Sequence, residues 1–510
     1  MRELNVLTRN ISWNYLEAGV GLVVYFFLTP IVVDALGAVG FGMWVLLNAI
    51  LFYLKFLDLG FYNALVKYVA ECSERRDWPT VNGLIATTIA VLLIAGVVAL
   101  FGSGLVAWLL VPNVFNVPAE NVAELQLATL LIGIDLLIAF PASALNAVLE
   151  GRQRFDVLSG ISIPLRIAGA LATVLVLDAG YGVTALVGIA VAVTVADAVA
   201  CWTLIGRLFP EIRLSVASIA RAADTRHLMR TRSYSTWTSL NEILAEGGAE
   251  LEKLLIPVLL SVSLLTPYTL IVTVCAAIFL AIEPITDTFF PLSSAYDAGS
   301  DKTRLRELLT RGTKLVVGIS LPLAVAITFY GRDFILIWIG AGNVEVPERV
   351  LPLVAASFAV TAFILTGTTI LLAVGRVREV FWMGIAELAL AVLLVLSSVP
   401  RTGLVGLAGS LLVANVLVTA AWIVPYLCRL LGQSIVGFLG ASLLRPALAA
   451  APMALAIVGL DRALPGDSLW RIALNSGLAG AVYVGAFYAV SLTPQERALV
   501  LGSLRRMRIQ

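Results

Sequence analysis

Residues 82–111 read NGLIATTIAVLLIAGVVALFGSGLVAWLLV, with no Asp, Glu, Lys, Arg or His among them. A helix needs about 20 mostly apolar residues to cross roughly 30 Å of hydrocarbon. The apolar positions here are continuous rather than alternating, which excludes a strand of a closed barrel. Similar runs occur at 10–33, 40–57, 121–148, 157–178, 183–205, 234–261, 267–294, 312–331, 350–374, 378–399, 403–428, 446–463 and 469–491. With 82–111 they make about fourteen, so the expected fold is an all-α polytopic membrane protein.

Composition carries the same reading. Of 510 residues, 60% are hydrophobic and 13% charged, and the mean hydropathy is +0.97. A soluble chain carries about 25% charged residues, and one water-soluble core stops growing near about 250–300 residues. The surplus apolar surface needs lipid, and a soluble enzyme is excluded. A net charge of +1 argues against a nucleic-acid partner. Cys72, Cys201, Cys275 and Cys428 are far apart, and His227 is the only histidine. No zinc constellation is expected. The opening Met-Arg-Glu-Leu-Asn-Val lacks the short apolar core and small-residue cleavage site of a secretory signal.

Basic residues mark every second connection, as cytoplasmic loops do. Examples are Lys67/Arg75/Arg76, Arg152/Arg154, Arg207 to Arg232, Lys302 to Lys314, Arg376/Arg378, Arg429/Arg445 and Arg505/Arg506/Arg508. The connections 34–39, 112–120, 179–182 and 262–266 contain neither Lys nor Arg. An even number of spans with both ends in the cytoplasm follows. The outer connections are short, leaving no external domain for a catalytic site, so no enzyme is expected. No structural disulfide is expected either.

The chain also matches itself. Leu28-Thr29-Pro30-Ile31-Val32 through Tyr68 resembles Leu255-Ile256-Pro257-Val258-Leu259 through Tyr296, with Pro30 and Pro257 in register 227 residues apart. Gly151-Arg152-Gln153-Arg154 matches Gly375-Arg376-Val377-Arg378 at an offset of 224. Each of these is followed by an apolar span and a glycine-containing outer turn, at Gly180-Tyr181-Gly182 and Thr402-Gly403. Duplication of a six-helix unit is expected, both copies entering the membrane from one side. The expected parts are an N-terminal lobe 1–206, a basic cytoplasmic linker 207–232, a C-terminal lobe 233–430, and a helix pair with a tail, 431–510. A two-lobed bundle with a polar cleft is a transporter architecture.

A charge at mid-membrane costs about 2.5–3.5 kcal/mol on insertion scales and must face protein or water. The seventh span is the outlier, with Glu242, Glu246, Glu250, Glu252 and Lys253. Glu242, Glu246 and Glu250 recur every four residues and share one helical face. They suit a coupling-cation site or a cleft wall; alternatively Glu250 and Lys253 form a structural pair. Glu283 and Asp287, one turn apart around Pro284 in the eighth span, join them as coupling-cation or cleft carboxylates. Asp58, Asp135, Asp197 and Glu387 are single charges for which structural or gating roles are expected. Arg166 is the natural anion-binding candidate, because a guanidinium matches phosphate oxygens and stays ionised. A structural bridge from it to Asp135 or Asp197 is the other reading. Glu17 lies beside Asn14 in the first span, as a cleft carboxylate or a group snorkelling inward.

In order and spacing the chain resembles the polysaccharide-transporter branch (Wzx-type flippases) of the multidrug/oligosaccharidyl-lipid/polysaccharide exporter superfamily. The resemblance runs over essentially the whole chain. It is carried by Pro30 with Leu36-Gly37 and Gly40-Phe41-Gly42-Met43-Trp44, and by Leu57-Asp58-Leu59-Gly60 leading to Tyr68-Val69-Ala70-Glu71. Leu149-Glu150-Gly151-Arg152-Gln153-Arg154, Phe334-Ile335-Leu336-Ile337-Trp338-Ile339-Gly340 and Gly403-Leu404-Val405-Gly406-Leu407-Ala408 complete it. It implies two six-helix lobes plus two C-terminal helices in a bacterial plasma (inner) membrane. It also implies inner-to-outer transfer of a polyprenyl-diphosphate-linked oligosaccharide by alternating access. The further expectations are no cofactor beyond a coupling proton or sodium ion, a monomer, and polysaccharide polymerase and glycosyltransferases as partners. On that reading Arg166 and Lys253 touch anionic headgroup atoms, while Glu242, Glu246 and Glu250 line the path or hold the cation. The family's acidic residue in helix 7 precedes an Ile-Gly pair; here Glu250 and Glu252 precede Leu254-Leu255-Ile256-Pro257, without the glycine. The competing readings are an organic-cation exporter, which an acidic cleft favours, a lipid II flippase, and more remotely a membrane glycosyltransferase.

Overall fold

The computed structural model describes residues 2–58, 60–212, 236–464, 466 and 468–498. Side chains are described from Arg9 on, except Ile11 and residues 236–243, 245, 246 and 249. The described residues are helices and short connections, with no strand among them. In order these are α1 Arg2–Lys55, α2 Phe61–Glu74, α3 Trp78–Leu105, α4 Ala119–Gly151, α5 Phe155–Asp178, α6 Val183–Leu208, α7 Thr236–Leu259 and α8 Leu265–Thr286. There follow α9 Phe289–Ala298, α10 Lys302–Ile339, α11 Val350–Ala373, α12 Val377–Val418, α13 Val424–Leu431, α14 Ile435–Leu439, α15 Arg445–Ala463 and α16 Leu469–Val490.

Among the described residues, eleven stretches are long and apolar enough to cross a membrane. Two of them are double crossings. α1 breaks at Gly37 (φ 66°, ψ −178°) and α12 at Gly403 (φ 60°, ψ −140°), backbone conformations open to glycine alone at little cost. α7 adds one more crossing; its charges keep it out of the apolar set. The fourteen spans expected from the sequence are therefore present. Side chains such as Phe101, Trp108, Leu175, Leu455 and Trp470 stay exposed on their helices, as lipid-facing positions do.

The duplication is visible in local geometry. Arg76 (φ 56°) and Ser300 (φ 54°) occupy left-handed turns 224 residues apart. The residue after each, Asp77 and Asp301, caps the next helix by accepting the N–H of Thr80 and of Arg304. Gly180 (φ 82°) and Gly403 (φ 60°) repeat the outer turn. Two six-helix sets and a C-terminal pair, α15 and α16, follow.

By contacts the chain forms two compact units, Met1–Thr266 and Pro267–Gln510. In the first unit α3 and α4 pack closely. A Cβ on Gly96 would lie 2.9 Å from Leu137 Cα, and one on Gly133 would lie 3.0 Å from Leu100 Cα. α7 packs on α1 within this unit. Tyr53 Oη donates to the Gly247 carbonyl at 2.6 Å, and Thr266 Oγ1 donates to the Ala38 carbonyl at 2.6 Å. In the second unit one buried cluster joins α10, α11, α12 and α13 around Leu309, Val317, Phe363 and Leu427. Another joins α10, α15 and α16 around Tyr330, Met453 and Tyr483.

Candidate functional site

The polar face formed by α1 and α5 in the first unit gathers the largest group of sequence-predicted residues. Ser159 and Arg166 are seven apart on α5, and Glu17 and Gly21 are four apart on α1. Both spacings keep a pair on one helical face. Ser159 Oγ donates to Glu17 Oε2 at 2.8 Å. Arg166 Nη2 stands 3.9 Å from Glu17 Oε1. That distance gives attraction without a hydrogen bond. Among the described residues no hydrogen bond engages the Arg166 donors, and 43% of its side chain is exposed. The guanidinium lies directly over Gly21, where a larger residue would displace it.

The face continues toward the start of α5. Asp156 takes Arg154 Nε at 2.9 Å and stands 3.9 Å from Arg9 Nη2. One carboxylate thus serves two arginines, and the row Arg9, Arg154, Arg166 carries more positive than negative charge. An oriented guanidinium with unspent N–H groups can accept a planar or tetrahedral oxyanion in two parallel hydrogen bonds. The partner Glu17 replaces the bridge to Asp135 or Asp197 weighed from the sequence; α1, not α4 or α6, covers this face of α5. Asn14 is exposed on α1, one turn before Glu17.

The remaining candidates are dispersed. Lys253 donates to Glu250 three residues earlier, so both charges of that pair are spent locally. Glu242 and Glu246 belong to α7, but their side chains lie outside the described residues. Glu283 and Asp287 are exposed at the end of α8, in the second unit. Asp58 accepts the Tyr62 N–H at the start of α2, and its Oδ1 is buried without a partner. Asp135 faces Thr194 and Lys55. Asp197 Oδ2 takes Asn146 Nδ2 at 3.2 Å, and Cys201 Sγ donates to Asn146 Oδ1 at 3.0 Å. Glu387 is half-buried in α12. His227 lies outside the described residues.

Beside the first connection, Tyr62 of α2 donates to Glu150 of α4. Burial, then this bond and the Glu150 charge, push the Tyr62 phenol above its ordinary range. Arg152 lies over the Trp78 and Phe209 rings at 5.4 and 4.8 Å. These contacts give the segment Leu149–Arg154 a structural task.

Ser159, Gly21 and Asp156 escaped the sequence reading. Helical spacing from Arg166 could have drawn Ser159 in; nothing local announced Gly21. A cavity of about 550 Å³ in the second unit is lined by Val317, Leu321, Val360, Phe363, Val424 and Leu439 among others. Its aliphatic lining suits hydrocarbon rather than a headgroup. Among the described residues no group of His, Cys, Asp and Glu could hold a metal ion.

The fold has clear relatives among solved structures. A structure titled lipid II flippase MurJ, inward closed conformation, superposes with a TM-score of 0.66 at 12% identity, covering 93% of this chain and 99% of that one. An inward-facing multidrug resistance MATE family transporter of the MOP superfamily matches with a TM-score of 0.65 at 12% identity, covering 80% and 94%. No curated protein matches the sequence. The family model described as polysaccharide biosynthesis protein matches residues 34–345, more than half of the chain. This multi-pass membrane protein, with the fold of MurJ and MATE transporters, belongs to the polysaccharide biosynthesis protein family.

Proposed function

We propose that the protein is a flippase that carries a polyprenyl-diphosphate-linked oligosaccharide from the inner to the outer leaflet by alternating access. The observation that carries this reading is Arg166, a cation inside a membrane-spanning helix with exposed, unspent donors. Family membership supports the glycan. Sugar hydroxyls and a diphosphate lose water bonds in hydrocarbon at a cost of several kcal/mol (about 2–7 per unpaired group). A polar helix face keeps such a headgroup hydrogen-bonded while its tail stays in lipid. The diphosphate oxygens meet Arg166, with Glu17 and Ser159 holding that face in place. Asn14, one turn away, offers an amide to the sugar.

The location assigned is a bacterial inner membrane with both termini cytoplasmic. The basic connections support this orientation. Coupling to a proton or sodium ion, action as a monomer, and operation beside glycosyltransferases and a polymerase belong to the same reading.

The organic-cation exporter is supported by the acidic face of α7. It loses weight because Lys253 neutralises Glu250, which leaves less unbalanced negative charge to attract a cationic drug. Proteoliposomes carrying defined lipid-linked sugars decide between these readings. Leaflet transfer of a polyprenyl-diphosphate glycan supports the proposal. Transport of an organic cation with no glycan transfer refutes it. Transfer restricted to lipid II identifies the cell-wall carrier instead.

A further inference from the structure

The last two helices hold a polar cluster that the transport reading leaves unused. Along α16, Arg471, Asn475 and Tyr483 are four and eight residues apart and lie on one face. α10 contributes Tyr330 and Asp333, and α15 contributes Asp461. These three helices pack on one another in the second unit. Asn475 is fully buried, and Tyr330 and Tyr483 are 3% exposed.

The hydroxyl of Tyr330 lies beside both the Asp461 carboxylate and the Asn475 amide. None of these groups closes a well-formed hydrogen bond. By strict hydrogen-bond geometry, Asp461 Oδ1, both amide atoms of Asn475, the Tyr330 and Tyr483 hydroxyls and Arg471 Nε are buried without a hydrogen-bond partner among the described residues. Buried polar atoms in native proteins are nearly always satisfied. In a membrane-spanning helix lipid cannot satisfy them. Within one bundle of three helices, the Tyr330 hydroxyl, the Asp461 carboxylate and the Asn475 amide therefore meet without a well-formed hydrogen bond among them.

Charge narrows its identity. Arg471 Nη2 donates to Asp333 Oδ2 at 3.3 Å, which neutralises that carboxylate. Arg471 Nη1 stands 3.6 Å from Asp461 Oδ1 without closing a hydrogen bond. Two carboxylates against one guanidinium leave one net negative charge. Asp461 Oδ1, Asn475 Oδ1 and the Tyr330 hydroxyl are oxygen donors of the kind that hard cations take. A single surplus charge fits a monovalent ion, since a divalent one would leave a positive charge buried in an apolar bundle.

We propose that Asp461, Asn475 and Tyr330 form a binding site for one monovalent cation between α10, α15 and α16. The site lies wholly in the second unit and stands whether or not the cargo assigned above is right. Its partly exposed member, Asp461, gives the ion an entrance at the last turn of α15. The buried amide and phenol then hold it deeper, and an occupied site locks the final helix pair to α10.

The test is thermal unfolding of the purified full-length protein in nanodiscs, with sodium chloride replaced stepwise by choline chloride at constant ionic strength. The wild type should show a saturable rise in unfolding midpoint with sodium. Asp461→Asn and Asn475→Leu should lose it, and Tyr330→Phe, which preserves volume, should weaken it. Equal wild-type midpoints in sodium and choline overturn the proposal without recourse to any variant. So does a sodium response that persists in all three variants. A higher midpoint for Asn475→Leu with the sodium response intact also overturns it, because the amide would then have no ligand to lose.

Discussion

Asn116 and Pro257 are joined backbone to backbone: the Asn116 N–H donates to the Pro257 carbonyl at 2.7 Å. Asn116 Nδ2 also donates to the Val258 carbonyl at 3.0 Å, and the Asn116 carbonyl accepts the Val262 N–H at 3.1 Å. The last carbonyls of a helix have no partner within it. Here one residue of the α3–α4 connection supplies the end of α7 with two. The sequence repeat places α7 in the second copy, yet this clasp ties its end to a connection of the first. Asn116→Ala removes only the side-chain bond. It should cost about 1 kcal/mol and speed hydrogen exchange at Val262 about fivefold. Exchange mass spectrometry that finds no change there would show the clasp to be idle.

Arg166 is the residue on which cargo transfer turns. Arg166→Ala should leave protein level unchanged and weaken headgroup binding roughly ten- to hundredfold, from the loss of a charged hydrogen-bonded contact of about 1.5–3 kcal/mol. Arg166→Lys keeps the charge but loses the fork, and should recover only part. Glu17→Gln tests orientation: the Ser159 contact persists while the attraction to Arg166 falls. Leaflet transfer at the wild-type rate in Arg166→Ala removes the assigned role.

What the sequence disclosed follows from the physics of its solvent. Lipid demands long apolar helices, so crossings such as 82–111 announce themselves by length alone. Gly37 and Gly403 stand in the sequence motifs, and their positive φ explains why two crossings can follow each other with almost no loop. α7 was singled out by its charges, and those same charges separate it from the purely apolar spans. The pairing of Glu17 with Arg166 was out of reach, because it depends on which helix covers α5. The Asn475 cluster was missed for a related reason. Asn and Tyr are unremarkable within an apolar run until three helices bury them together.

Close packing of α3 on α4 offers a test with an internal control. Gly133→Ala would push a Cβ against Leu100 and Ser103, and overpacking of this kind costs about 1–3 kcal/mol. Gly188 on α6 has open space around its Cβ position. Gly188→Ala should therefore stabilise by about 0.5–1 kcal/mol through backbone entropy. Opposite shifts in unfolding midpoint are expected. A Gly133→Ala protein as stable as the wild type would mean that the α3–α4 contact is looser than its geometry.

Lys314 and Glu496 form the most deeply buried ion pair among the described residues, 6% and 16% exposed and 2.9 Å apart. Burial alone would raise the Glu496 pKa. The Thr493 N–H at 2.7 Å, the Thr493 hydroxyl at 2.9 Å and the Lys314 ammonium outweigh burial and hold it below the usual carboxylate range. A depressed folded-state pKa means that the contribution to stability is whole above the unfolded value, about 4.3. It is lost as pH falls through the lower folded value. Glu496→Gln leaves the Lys314 charge buried and uncompensated, at a cost of about 3–5 kcal/mol at neutral pH. The paired change Lys314→Met with Glu496→Leu removes both charges and should restore most of that loss. Unfolding midpoints measured from pH 7 down to pH 3 should fall for the wild type over its acidic limb. They should stay flatter there for the double variant, whose helix end no longer carries a carboxylate to protonate. Parallel acid limbs in the two proteins would assign the acid sensitivity to other carboxylates.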